Sequence, residues 1–273
     1  MRLHTTIVTA NIEVRAGLHL IEMQAPLLAQ AVRPGQYCLV RCCDSGSSDP
    51  LLRRPFFVHS LAAPARERLN LLVYARGRGS AWLTKQHEGA ELDILGPLGH
   101  GWTVRPTVSA LLLVSEGTLI PPLTFLAQYA IEQDLAVTLV SQHNGEQHAY
   151  PPALLPSQVE YHIVPAGTQT GASGDLQSIL GSYLAWADAA YLSVSHETAA
   201  ALYQRFEHLR TRNFAQGVLL HPLVCGSGAC LTCAVDMHTG PKLICRDGPV
   251  FDLREIARAY FPSSNTISSI SSI

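Results

Sequence analysis

Val224-Cys225-Gly226-Ser227-Gly228-Ala229-Cys230-Leu231-Thr232-Cys233, followed by Cys245, holds four of the seven cysteines in the chain. Their spacing is C-x4-C-x2-C-x11-C, which matches a four-thiolate frame for a [2Fe–2S] cluster. Two irons and two bridging sulfides form a compact anionic centre, so the first three thiolates must come from one tight loop. Gly226 and Gly228 give that loop backbone angles closed to other residues, and they let N–H groups approach the sulfurs. The segment from Ala234 to Ile244 reads as a small hairpin turning at His238-Thr239-Gly240-Pro241, which carries Cys245 back to the other three.

Two other chemistries use cysteines. A structural zinc usually draws its ligands from two short C-x2-C-type pairs, and only one is present here. Disulfides need an oxidising compartment, and nothing in the chain points to one. Cys225, Cys230, Cys233 and Cys245 are therefore the expected metal ligands.

The residues around these cysteines carry a resemblance. Cys225-Gly226-Ser227-Gly228-Ala229-Cys230-Leu231-Thr232-Cys233, with Cys245-Arg246-Asp247-Gly248-Pro249-Val250-Phe251-Asp252, resembles the electron-transfer subunits of dihydroorotate dehydrogenase B. These are iron–sulfur flavoproteins of the ferredoxin reductase superfamily. Reductase subunits of sulfite reductases, hydrogenases and ferredoxin:NADP oxidoreductases share the Asp-Gly-Pro-Val-Phe tail, while the Gly-Ala-Cys-Leu-x-Cys core favours the dihydroorotate branch. The resemblance implies an FAD-binding β-barrel over 1–102, an NAD-binding-like α/β domain over 103–220, and a [2Fe–2S] module over 221–262.

Composition agrees with such a chain. With 47% hydrophobic and 15% charged residues over 273 positions, it can bury the cores of two domains and a small module. A net charge of −2 argues against nucleic acid or a membrane surface as an electrostatic partner. The first residues, Met1-Arg2-Leu3-His4-Thr5, lack the apolar run of a signal peptide, and no stretch has the apolar length of a membrane span. The expected location is the cytoplasm. Cys38, Cys42 and Cys43 are expected to be buried reduced thiols, with Cys42 and Cys43 on opposite faces of a strand.

Residues 1 to about 100 read as short strands separated by turns, the pattern of a β-barrel or sandwich. Strands are expected at Thr5 to Val14, His19 to Gln24, Gln36 to Cys43, Arg54 to Ser60, Leu69 to Ala75 and Glu91 to Leu95. Three features point to a flavin. In Arg53-Arg54-Pro55-Phe56-Phe57-Val58, Arg54 and Pro55 match the family's Arg-Pro-x-Ser, whose arginine meets an FAD phosphate; Phe57 stands where the serine would face the ring. An arginine suits phosphate because its planar fork can donate two hydrogen bonds at once. Gly77-Arg78-Gly79-Ser80 leads into an expected helix over Ala81 to Gln86, a second place for phosphate. Gly96-Pro97-Leu98-Gly99 matches the family motif that closes the barrel beside the flavin. The expected FAD contacts are Arg54, Pro55, Phe56, Phe57, Gly77, Gly79 and Ser80, and His59 reads as a structural residue.

From about residue 107 strands alternate with helices, which predicts a parallel doubly wound sheet. Strands are expected at Val108 to Val114, Leu135 to Ser141, Val159 to Val164, Ala189 to Val194 and Gly217 to Leu220. Helices are expected at Ile120 to Gln133, Asp175 to Tyr183 and Glu197 to Arg210. The tail from Ser263 to Ile273 is expected to be disordered.

In two places the chain departs from the family. A Gly-Gly-x-Gly-type loop before Pro-Pro-Leu, which receives the NAD pyrophosphate, is replaced by Ser115-Glu116-Gly117-Thr118 ahead of Leu119-Ile120-Pro121-Pro122. Cys-Gly-Pro beside the nicotinamide is replaced by Ser193-Val194-Ser195. At ~4 Å, Glu116 would repel a phosphate charge by about 4 kcal/mol at an effective dielectric near 20. NAD binding is therefore expected to be weak or absent, and no catalytic acid or base is assigned.

The resemblance implies electron transfer between FAD and the cluster. It also implies a separate FMN-containing dihydroorotate dehydrogenase catalytic subunit as partner, in a heterotetramer. The alternatives are a reductase subunit for another oxidoreductase, such as a sulfite reductase or hydrogenase, or a degenerate structural subunit that keeps only the cluster.

Overall fold

The computed structural model describes residues 1–62, 66–145, 148–166, 173–237 and 239–260. The expectations for His238 and for the tail 263–273 lie outside these residues.

The N-terminal half closes into a barrel. Its strands are β1 (Arg2–Arg15), β2 (Leu18–Gln24), β3 (Tyr37–Val40), β4 (Arg54–Ala62), β5 (Arg68–Tyr74) and β6 (Glu91–Leu98), in the order β1-β2-β5-β4-β3-β6. Alternation along the strands fills the interior: Ile21, Met23, Cys38, Val40, Val58, Leu69, Leu71, Leu92 and Ile94 share one core. Closure leaves no unpaired strand edge in the barrel. A short helix α1 (Pro26–Ala31) plugs one end with the buried Leu28. A second, α2 (Arg78–Leu83), follows β5.

The second half is a six-stranded sheet in the order β14-β11-β10-β7-β8-β9, with β14 (Val250–Asp252) at one edge. β7 (Ala110–Glu116), β8 (Ala136–His143), β9 (Glu160–Pro165), β10 (Ala189–Ser193) and β11 (Ala215–Val218) are parallel. β7 explains why its sequence is an unbroken apolar run, for both of its faces are covered. Leu111 and Leu113 pack with Leu123 and Leu126 of α3 (Pro121–Glu132). Leu112 and Val114 pack with Leu180 of α4 (Ser173–Trp186) and Leu202 of α5 (His196–Arg205). α3 opens on Pro121 and Pro122, where a helix has no partner for its N–H groups anyway.

Several expectations change in detail. Cys42 and Cys43 lie beyond β3, which ends at Val40, yet both are buried, so the opposite-faces argument does not apply. Helix α2 begins at Arg78, so Gly79 and Ser80 form its first turn rather than preceding it. Gly96-Pro97-Leu98 continues strand β6. The expected helix Glu197 to Arg210 breaks at Phe206 into α5 and a short 3-10 turn. The C-terminal segment supplies two elements that the pattern did not indicate. After the hairpin β12 (Ala234–Met237) and β13 (Gly240–Leu243) and a helical turn α6 (Ile244–Asp247), β14 (Val250–Asp252) joins β11 as an antiparallel edge. Helix α7 (Leu253–Tyr260) then packs on the same face as α5. Three residues are too few to show a strand period, and β14 forms only because β11 is there to receive it.

Barrel and sheet are joined through α3. Gln128 acts as a surrogate strand partner for β4, accepting from Leu61 N–H at 2.9 Å and donating to Leu61 C=O at 2.8 Å. Thr124 donates to the carbonyl of His59 at 2.8 Å. His59 itself is buried, with its ring nitrogens against Ser60 and the Tyr150 hydroxyl. Its role here is structural, at the seam. Burial lowers its pKa to about 4 from an ordinary 6.5. The folded protein thus holds it neutral where an unfolded chain takes up a proton. Its stabilising contribution is complete above about pH 6.5 and is lost as pH falls towards 4. Melting temperature should therefore fall less steeply over this window in His59→Gln than in the wild type; parallel profiles would contradict the assignment.

Candidate functional site

The four cysteines gather at the junction of barrel and sheet. Cys233 and Cys245 are each 1% exposed, whereas Cys225 is half-buried and Cys230 is exposed. They fall into two neighbouring pairs, Cys225 beside Cys230 and Cys233 beside Cys245. The backbone N–H of Cys245 also donates to the sulfur of Cys233 at 3.4 Å. Among the described residues no three His, Cys, Asp or Glu side chains are gathered closely enough for a single metal ion. Two pairs of thiols suit a two-iron core with two protein ligands per iron better than one zinc.

Backbone donors point at the sulfurs. Burial acts to raise the Cys225 thiol, but N–H groups of Cys230 and Ser227, with the side chains of both, outweigh it and bring the thiol down to about 6. Burial and the neighbouring Cys233 push Cys245 up to about 12, against an opposing N–H from Gly228. An anionic cluster with four thiolates would draw on these same N–H groups. Leu231 stands beside Cys230 at 63% exposure, so the site has an apolar, open edge.

The loop keeps its shape because the barrel lies directly behind it. Gly226 has φ +70°, and a Cβ there would meet Leu98 at 2.8 Å and Leu39 at 2.9 Å. The Tyr37 hydroxyl donates to the carbonyl of Cys245 at 3.2 Å. His100 N–H donates to the Gly248 carbonyl at 2.6 Å, and Leu219 N–H to that of Pro249 at 2.8 Å. Gly99 is confined too, since a Cβ would lie 2.4 Å from the Gly248 oxygen. Gly-Pro-Leu-Gly thus ends as the surface on which the cysteine segment rests.

The expected flavin contacts converge from two elements. Arg54 opens β4 and lies across the first turn of α2, where a Cβ on Gly79 would come within 3.0 Å of its side chain. Arg53, its neighbour, is committed elsewhere, in an ion pair with Asp93 at 2.7 Å. Gly77 caps α2, and Ser80 Oγ accepts from the N–H of Gly77 and of Arg76, each at 3.0 Å. The Ser80 hydroxyl therefore holds the turn. The N–H groups of Arg78 and Gly79, ahead of the first helical bond from Ala81 to Gly77, are the ones left to face an anion. Pro55 is exposed. Phe56 turns into the barrel core, and Phe57 turns outward, pairing in register with Tyr37 at a ring separation of 6.2 Å. These features fit a diphosphate held by an arginine and a glycine turn, with an aromatic ledge beside it.

Nothing in the sequence singles out Tyr37. Only the β3–β4 register places it between Phe57 and Cys245, and one tyrosine in a strand carries no mark of that position. At the far side of the junction, the two segments that depart from the family meet: the Glu116 carboxylate accepts from Ser195 N–H at 2.9 Å.

Comparison with known proteins agrees with this arrangement. Residues 222–257 match the model of the iron–sulfur cluster binding domain of dihydroorotate dehydrogenase B. The dihydroorotate dehydrogenase B (NAD(+)) electron transfer subunit of Shouchella clausii is 29% identical over 250 residues, covering 89% of this chain and 94% of that protein. Its counterpart from Bacillus mycoides is 27% identical over 263 residues, covering 94% and 99%. Among solved structures, an NADH-dependent reduced ferredoxin-NADP oxidoreductase superposes with a TM-score of 0.74 at 19% identity, over 92% of this chain and 88% of that one. The ferredoxin reductase of carbazole 1,9a-dioxygenase gives 0.62 at 18% identity, over 79% and 68%. Residues 222–257 are thus similar to the iron–sulfur cluster binding domain of dihydroorotate dehydrogenase B, nearly the whole chain is similar to that enzyme's electron transfer subunits, and its fold is that of the ferredoxin-NADP oxidoreductase.

Proposed function

We propose that this chain is an electron-transfer subunit that carries electrons between FAD on its barrel and a [2Fe–2S] cluster on Cys225, Cys230, Cys233 and Cys245. Its partner in this reading is a separate FMN-containing subunit that oxidises dihydroorotate, the two assembling as a heterotetramer. The observation that carries the reading is the continuity from Phe57 through Tyr37 to Cys245, one packed path joining the flavin ledge to the cysteine site.

FAD supplies a carrier that exchanges electrons in pairs or singly, and the cluster one that exchanges them singly. The protein's part is to hold, orient and shield. Arg54 and the N–H groups of Arg78 and Gly79 hold the diphosphate. Buried Cys233 and Cys245, behind Tyr37, keep water from the inner side of the cluster. Exposed Cys230 and Leu231 leave its outer side open to a partner protein.

Arg54→Ala should weaken flavin retention by roughly 1.5–3 kcal/mol, the range for a hydrogen bond to a charged group. Flavin per chain after gel filtration reads this directly, and full occupancy in the variant would move the phosphate site elsewhere. The relay is tested by mixing the chain anaerobically with a dihydroorotate dehydrogenase B catalytic subunit. Dihydroorotate should then bleach the visible bands of this chain, and should leave them unchanged when the partner is omitted. Bands that stay oxidised in the mixture would refute the pairing.

A further inference from the structure

Chain order in the parallel sheet reverses between β7 and β10, because β8 and β9 extend from one side of β7 and β10 and β11 from the other. In open α/β sheets the crevice at such a reversal, outside the carboxyl ends of the strands, is where a dinucleotide binds. Its pyrophosphate is received by backbone N–H groups at loops and helix starts. In this chain the crevice has its own anion. Glu116 is the last residue of β7, and its carboxylate crosses the reversal to accept from Ser195 N–H at 2.9 Å. Ser195 is the N-cap of α5, so the bond lies at the positive end of that helix.

Several neighbouring donors are also engaged within the chain. Gly117 N–H donates to the Gln142 carbonyl at 2.7 Å, and Leu119 N–H to the Glu116 carbonyl at 3.0 Å. Pro121 and Pro122, at the start of α3, have no N–H to offer. Ser193 Oγ donates to the Leu119 carbonyl at 2.5 Å and ties the loop after β7 to the end of β10. Arg76, the cation reaching in from the barrel, bonds the Thr118 hydroxyl. Space is not what is missing: a cleft of about 500 Å³ lies outside Glu116, Gly117 and Ser195. What stands against a dinucleotide is the charge on the floor at Glu116, with several of the nearest backbone donors already engaged.

We propose that Glu116 is a resident anion in the pyrophosphate seat and that this chain consequently does not take NAD(H), unlike the relatives whose names include NAD(+). The inference rests on the electron-transfer reading for its meaning, but its chemistry is local to the strand ends. Two departures that look independent in the sequence, at Ser115-Glu116-Gly117-Thr118 and Ser193-Val194-Ser195, are the two halves of one contact. The relay would then deliver its electrons to an acceptor other than a pyridine nucleotide.

The test is equilibrium dialysis of NADH and NAD⁺ against the flavin- and iron-loaded protein, with anaerobic NADH bleaching of the flavin as a second readout. Wild type should show no saturable binding up to about 1 mM, a standard free energy near −4 kcal/mol. Glu116→Gly, which removes the charge and frees Ser195 N–H, should bind NADH at least tenfold more tightly. Glu116→Gln keeps the size and the acceptor but not the charge, and should show a smaller gain should the glycine variant fold poorly. Micromolar NADH binding by wild type would overturn the proposal, as would no gain in either variant whose melting curve matches wild type. Protein that lacks flavin or iron would instead count against the relay, since dialysis reports on the crevice without either.

Discussion

A four-thiolate cluster is an anion that must be surrounded by N–H groups in a fixed loop, and a loop of glycines and cysteines has no rigidity of its own. The constraint is met from behind. Leu39 and Leu98 on the barrel press against Gly226, the Gly248 and Pro249 carbonyls are bonded by His100 and Leu219, and Tyr37 bonds the carbonyl of Cys245. Each of these contacts joins residues more than a hundred positions apart, except that from Leu219. The final shape of the cysteine loop therefore depends on the closed barrel behind it. β14 ties the other end of the segment into the sheet. The cysteine segment is thus held on two sides, and its exposed edge at Cys230 and Leu231 is the side left free.

How much of this was legible in the sequence depended on how local each signal is. Cysteine spacing is local chemistry, and it marks out the four thiols that the fold brings to the junction of barrel and sheet. Apolar runs such as Leu111 to Val114 identified buried parallel strands, and frequent turns identified the barrel. Signals that depend on a distant partner could not be read. β14 is a strand only because β11 offers an edge, and Tyr37 matters only because Phe57 and Cys245 flank it. Gly77-Arg78-Gly79-Ser80 reads in sequence as a loop before a helix, but Ser80 bonds back to Gly77 and starts the helix earlier. The hydroxyl expected near a phosphate is used as a cap.

The strand-end crevice shows how a fold can keep its architecture while the ligand seat is filled from within. Every element around Glu116 is in place: β7, α3 with its two prolines, β10, and α5 with its Ser195 cap. A carboxylate that satisfies the N–H of Ser195 stabilises the empty site, because a donor near a helix start is otherwise left to water. Stability and loss of dinucleotide binding then have the same physical origin.

The central claim is that the chain holds a two-iron cluster beside FAD. The most direct measurement is iron, sulfide and flavin analysis of anaerobically purified protein, with electron paramagnetic resonance after reduction. The account predicts about two irons, two sulfides and one FAD per chain, with a single paramagnetic cluster signal on reduction. Zinc in place of iron, or about four irons per chain, would contradict it.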